Sequence, residues 1–210
     1  MTYVVRPRYT ITMAYESGFD RVPDNSVILI EEAPGVVKEI FTQKMAFDRA
    51  KEGKKVVYLT TRMKEDVISQ MALFRITIPE NFRIIDHFRT AGDLSNIDHG
   101  DFCVIDAFST LCTRSDIAEL ELIMDWFLVE SRKGSVFLLL SDSGVFNSRE
   151  ENLLRAMADG IIQFMSNPEG DKIKRAISIP KMKGTIPPDR MLPITINDEG
   201  ILIDTRERHG

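Results

Sequence analysis

Val27-Ile28-Leu29-Ile30-Glu31-Glu32-Ala33-Pro34-Gly35-Val36-Val37-Lys38-Glu39 runs from a strand-type segment through a turn into a helix-period segment, Ile40 to Ala50. The phosphate-binding loop G-x-x-x-x-G-K-[ST] needs this strand–turn–helix context. Gly35 and Lys38 survive in it. The first glycine of the pattern is Glu32, the second is Val37 and the hydroxyl residue is Glu39. The stretch therefore keeps the scaffold of a nucleotide-binding protein while losing much of its chemistry.

Outward from this stretch the chain alternates. Lys55 to Thr60 is a strand-type run, followed by a helical pattern over about 64–74 and a shorter strand at 82–86. Phe102-Cys103-Val104-Ile105-Asp106 reads as a buried strand ending in a carboxylate. A strongly periodic helix starts near Ser115 and stops at Gly134. Ser135 to Ser141 is nearly continuous in apolar residues, the mark of a central parallel strand covered on both faces. A helix over 149–158 follows. Strand-type runs at 160–165 and 173–180 join through a turn at Pro168 and Gly170, and 192–196 with 201–204 form a hairpin around Asn197-Asp198-Glu199-Gly200. Alternating βα units followed by β-rich pairing predict an α/β fold, a mainly parallel sheet extended by antiparallel C-terminal strands. The opening residues 2–13 contain Pro7 and read as an edge strand or arm. The domain reading is therefore a lead-in over 1–25 and one core over 26–210.

Composition sets outer bounds. With 210 residues, 43% hydrophobic and 28% charged, the chain can bury the core of one large domain. A net charge of −5 argues against a protein that coats nucleic acid. Cys103 and Cys112 supply no disulfide or metal framework; a buried thiol is the expectation for Cys103, and an intracellular location with it. No run approaches the roughly 18 apolar residues of a membrane span, and no signal-peptide pattern opens the chain, so the expected location is cytoplasmic and no membrane partner is expected. His87, His99 and His209 are too scattered to read as a metal site. Leu120, Ile123, Met124, Phe127 and Leu128 form a core stripe on one helix. Met45, Met63, Met71 and Met157 read as gap-filling residues.

Several segments together resemble the RecA-like ATPases, and among them the archaeal and bacterial relatives of the clock ATPase KaiC. Ser26 to Gly35 is similar to the strand and loop that open the family core, and Gly53 to Thr60 to its second strand. Phe102–Asp106 is similar to the Walker B strand. Ala158-Asp159-Gly160-Ile161-Ile162, Arg175, Lys181-Met182-Lys183-Gly184-Thr185 and Glu199-Gly200-Ile201 resemble the C-terminal third. The likeness runs over about 15–204. It implies a RecA-like three-layer αβα core, an archaeal origin, and head-to-tail association around a nucleotide site.

The departures from that pattern carry the functional expectation. In a working loop the glycines let backbone N–H groups turn inward around phosphates. A left-handed backbone at β-branched Val37 costs about 1–2 kcal/mol, so the loop is expected to relax. One carboxylate at about 4 Å repels a phosphate charge by roughly 4 kcal/mol at a surface-like dielectric, close to three decades of affinity. Glu39 falls in the first helical turn, where the macrodipole favours it by about 0.3–1 kcal/mol. Glu39 or Glu32 is thus a candidate to occupy the anion position itself, paired with Lys38 and the helix N-terminus; the alternative leaves both solvated.

The resemblance places one or two glutamates acting on the attacking water just after the second strand. Thr60-Thr61-Arg62 stands there, and a threonine hydroxyl is no general base at neutral pH. Relatives use the equivalent of Asp106 to hold magnesium, although by its own surroundings a hydrogen-bonding carboxylate is the preferred reading. The resemblance also implies that Lys181, Lys183 and Thr185 lie on a loop reaching a neighbouring subunit's γ-phosphate. Lys183 stands for the usual arginine, keeping the charge and losing the bidentate fork. The bland reading of that loop is a solvated basic turn before Pro187-Pro188. The expectation is a pseudo-ATPase with no cofactor, acting through protein–protein contacts with itself or with a competent KaiC/RecA-like partner. Its rivals are a weak or unconventional ATPase using ATP and magnesium, and a recombinase-like nucleic-acid module, against which the acidic balance counts.

Overall fold

The computed structural model of the chain describes residues 22–87, 90–198 and 200–203; the arm expected over 2–13 lies outside them. Strand and helix alternate through β1 (Val27–Glu32), α1 (Val37–Lys51), β2 (Val56–Thr60), α2 (Lys64–Leu73), β3 (Phe82–Ile85), β4 (Phe102–Asp106), α3 (Phe108–Leu111), α4 (Ile117–Ser131), β5 (Val136–Asp142) and α5 (Ser148–Met157). Then come β6 (Gly160–Glu169), β7 (Lys172–Met182), β8 (Leu192–Asn197) and β9 (Gly200–Ile203). All form one sheet in the order β3-β2-β4-β5-β1-β6-β7-β8-β9. The strands from β3 to β6 run parallel, and β7, β8 and β9 add antiparallel pairings.

Side chains alternate across the sheet, so each strand feeds two cores. Ile28, Ile30, Tyr58, Val104 and Leu138 pack with Ile40 and Phe41 of α1 and Val67 and Met71 of α2. Leu29, Leu59, Ile105 and Leu139 pack on the other face with Leu120, Met124 and Phe127 of α4 and Leu154 of α5. Three layers result. The core stripe expected on α4 is present, with Ile123 and Leu128 at its partly buried margin.

Two short pieces escape a reading by periodicity. A 3-10 segment at Ala91–Asn96 and the single turn α3 fall in stretches that lack helical pattern. The β6–β7 hairpin is also longer than its apolar runs, with pairing continuing to Glu169↔Lys172. At the base of that hairpin a Cβ on Gly160 would stand 2.6 Å from the Met182 sulfur and 2.7 Å from Ile28 Cδ1, so a larger residue there would make these two side chains shift.

The chain leaves β1 through α1 and crosses past β5 and β4 to reach β2. That crossing opens a crevice at the C-terminal end of β1, where open α/β sheets bind their ligands.

Candidate functional site

Register builds this crevice. Glu32 lies beside Asp142 on the adjacent strand, and Thr60 beside Asp106. Alternation sends Glu31 to the α5 side, where its buried carboxylate takes the Arg155 Nε at 2.9 Å and Gln163 Nε2 at 2.8 Å. Glu32 turns the other way, toward the N-terminus of α1.

An α-helix begins with N–H groups that lack partners within the helix. The N-cap of α1 is Val36, which offers no side-chain acceptor. Glu32 supplies one from four residues earlier. Its Oε2 accepts from the Lys38 N–H at 2.9 Å and its Oε1 from the Val37 N–H at 3.4 Å. Glu32 is only 4% exposed. A carboxylate thus sits where a helix N-terminus would receive a phosphate. Burial pushes its pKa above the ordinary range, and the Lys38 N–H, the Lys38 ammonium and the Val37 N–H pull part of that back. Gly35 leaves the room for it, since a Cβ there would stand 2.6 Å from Glu32 Oε1. No residue from 32 to 38 has a positive φ. Val37 has become the first residue of α1, and the loop has the relaxed shape that a branched side chain demands.

The Lys38 amine does not reach outward. Its Nζ donates to Asp142 Oδ1 at 2.7 Å and to the Gly35 carbonyl at 3.4 Å, and lies 4.0 Å from Glu32 Oε2. Its side chain is 2% exposed.

Glu39 points away from this cradle. Its Oε2 accepts from Arg62 at 3.3 Å and from Gln70 Nε2 at 3.1 Å. The Gln70 oxygen in turn takes Arg62 at 2.8 Å and Gln43 Nε2 at 3.0 Å. Arg62, which follows β2 where a hydrolytic glutamate would stand, therefore serves as the counter-ion of Glu39. Asp106 ends β4, where its peptide to Ala107 is cis. It accepts the Tyr58 hydroxyl at 2.8 Å. Burial pushes Asp106 up to about 6; the Tyr58 bond offsets part of this and the Glu39 charge adds to it.

Glu32, Glu39, Asp106 and Asp142 thus gather four carboxyls around two cations, Lys38 and Arg62. The N–H donors and both cations already have partners, and the surplus charge is negative. This donor set does not fit a magnesium–polyphosphate.

Lys181, Lys183 and Thr185 lie at the other end of the sheet. Met182 pairs with Gly160 at the start of β6, whereas Glu32 pairs with Phe164 further along. Lys181 Nζ donates to the carbonyls of Ala156 at 2.7 Å and Arg155 at 3.2 Å, holding the C-terminal turn of α5. Lys183 Nζ reaches the Asn25 carbonyl at 3.2 Å and stands 3.8 Å from Asp159. Thr185 Oγ1 donates to the Met182 carbonyl at 3.4 Å. Asp159 is the hub there, accepting from the Val27 N–H at 3.0 Å and from both Arg132 terminal nitrogens. Burial alone would raise its pKa, but Arg132 and the Val27 N–H hold it below the usual carboxylate range.

Sequence reasoning brought Glu32, Gly35, Val37 and Lys38 to one place, and the structure gathers them. It missed Asp142, Tyr58, Gln43 and Gln70. Only Asp142 left a signal: a carboxylate closing the apolar run that becomes β5.

No protein-family profile and no curated protein matches the sequence. Solved structures do match in fold. The flagellar accessory protein FlaH from Methanocaldococcus jannaschii superposes with a TM-score of 0.79 at 15% identity, over 94% of this chain and 96% of that one. The KaiC-like protein PH0186 from Pyrococcus horikoshii OT3 superposes with a TM-score of 0.77 at 19% identity, over 96% of this chain and 100% of that one. The fold is the RecA-like core of the KaiC type. Among the described residues no helix is long and apolar enough to cross a membrane.

Proposed function

We propose that this chain is a pseudo-ATPase: a RecA-like core that has replaced its nucleotide with its own side chains and acts as an assembly or regulatory subunit. One observation carries the reading. The Glu32 carboxylate lies on the Val37 and Lys38 N–H groups, the donors a phosphate would need. Asp142 satisfies Lys38, and Arg62 is the counter-ion of Glu39. The fold keeps its geometry through internal ion pairs that need no ligand. Thr61 and Arg62 follow β2, and neither is a general base at neutral pH.

The partner this reading favours is a second copy or a competent RecA-like subunit, meeting the end of the sheet that carries the 181–191 segment. Lys181 is spent on α5, but Lys183 remains 43% exposed, and Ile186 beside it is 94% exposed. The fold analogy supplies the head-to-tail direction. The cytoplasmic location expected from sequence belongs to the same proposal.

Calorimetric titration of the whole chain with ATP, with and without magnesium, tests the reading, alongside a solution mass. The expected result is no saturable heat and an unchanged mass on adding nucleotide. A weak or unconventional ATPase would instead bind ATP with magnesium through Lys38 and Asp106.

A further inference from the structure

Helix α4 carries a second apolar stripe, on the side away from its core. Ala118, Leu122, Trp126 and Val129 recur at spacings of three and four, one face of a helix. Leu122 is 69% exposed and Val129 58%. Leu120, Met124 and Phe127 already bury the opposite side. A core-facing stripe alone would leave polar residues at 122 and 129. Trp126, between Leu122 and Val129 along the helix, is half-buried against His99, Phe127 and Phe137, with ring centroids at 5.1, 5.0 and 6.2 Å, at the inner margin of this stripe.

Charge along the helix indicates what covers this stripe. The exposed residues Glu119 and Glu121 lie at its start, and Arg132 and Lys133 just past its end. We propose that α4 pairs with α4 of a second copy, antiparallel about a two-fold axis passing close to Trp126. Such an isologous contact uses one patch twice. It sets Leu122 against Val129 of the second copy, Glu119 against Lys133, and Glu121 against Arg132, each contact occurring twice. A parallel arrangement would stack acid on acid. An anionic membrane would be repelled by Glu119, Glu121, Asp125 and Glu130. Arg132 and Lys133 have acceptors in their own chain, Asp159 and Glu130, yet their side chains remain 46% and 65% exposed and can take a second acid. The two Asp125 side chains approach each other near the axis and oppose the pairing. One helix per subunit lies at the low end of specific interfaces, under about 1,200 Å², so the dimer is a reversible one.

Trp126 is the chain's single tryptophan, which gives the test its reporter. Sedimentation equilibrium of the whole chain over a micromolar to submillimolar series is run with Trp126 emission in parallel. The expected result is a monomer–dimer equilibrium with emission shifting to the blue as dimer forms. Leu122→Glu and Val129→Glu, at exposed positions, yield monomers that retain the wild-type circular dichroism; Leu122→Ala serves the same purpose if a glutamate variant fails to fold. Lys133→Glu weakens association about tenfold, two exposed ion pairs becoming repulsions, and adding Glu119→Lys recovers most of it. Asp125→Asn strengthens it. A chain that stays monomeric at submillimolar concentration overturns the proposal, as does an assembly that survives Leu122→Glu with Trp126 emission unchanged. Neither outcome depends on whether nucleotide binds.

Discussion

An ammonium with 2% of its side chain exposed needs a counter-ion at contact distance, and Lys38 has Asp142 at 2.7 Å. Removing one partner of a buried pair leaves an uncompensated charge, which costs about 3–5 kcal/mol. Lys38→Ala is therefore expected to lower unfolding free energy by about that amount in urea titrations. A lysine kept only for phosphate would leave stability unchanged. Asp106 works in the other direction. Its carboxyl titrates at about 6 when folded against a usual 3.8, so between those values the folded chain holds more protons than the unfolded one. Stability then rises as pH falls from about 7 toward 4, by about 3 kcal/mol from this group. Glu32, also raised, acts with the same sign. Asp159, lowered, loses its contribution only below the ordinary carboxylate range. Thermal melts should show Tm climbing from pH 7 to pH 5. Asp106→Asn should flatten that climb and raise Tm at pH 7, because the amide still accepts from Tyr58. A Tm that falls steadily over this range would contradict the assignment.

Helices α4 and α5 are capped by residues adjacent in sequence and α1 is not, and the contrast explains Glu32. Asp116 with Glu119 and Asn147 with Glu150 form capping boxes on α4 and α5, while α1 starts at valines and takes its cap from β1. Glu32→Ala should cost about 1–2 kcal/mol as a lost cap and speed amide exchange at Val37 and Lys38. Glu32→Gln, which keeps an acceptor, should cost less. Capping also decides what could be read in advance. The periodic run read from Ser115 comes within two residues of the first residue of α4, Ile117, and β4 and β5 follow from their apolar runs, because local pattern and burial agree there. Single-turn α3 has too few residues for a period, and the hairpin tip through Pro168–Lys172 is polar because its ladder stands in solvent. The site divides along the same line. Glu32 was legible as a misplaced carboxylate within an eight-residue loop. Asp142, 104 residues from Lys38, becomes its partner only through the β1–β5 register, which no local pattern encodes.

In the assembled molecule the two ends of the sheet carry different chemistry. One end holds Glu32, Asp142, Glu39 and Asp106 around Lys38 and Arg62; the other holds Asp159, Arg132 and Lys183. The RecA-like frame is intact, since β1, β4 and β5 are buried on both faces and α1 is held by a side chain of its own strand. Under the proposed reading a fold stabilised this way gains nothing from nucleotide, because binding would first require removing Glu32 from two N–H groups and Lys38 from Asp142. The decisive measurement is isothermal calorimetry of the whole chain with magnesium and ATP. No saturable binding is expected up to millimolar nucleotide; micromolar binding, with Glu32 displaced from the start of α1, would overturn the pseudo-ATPase reading.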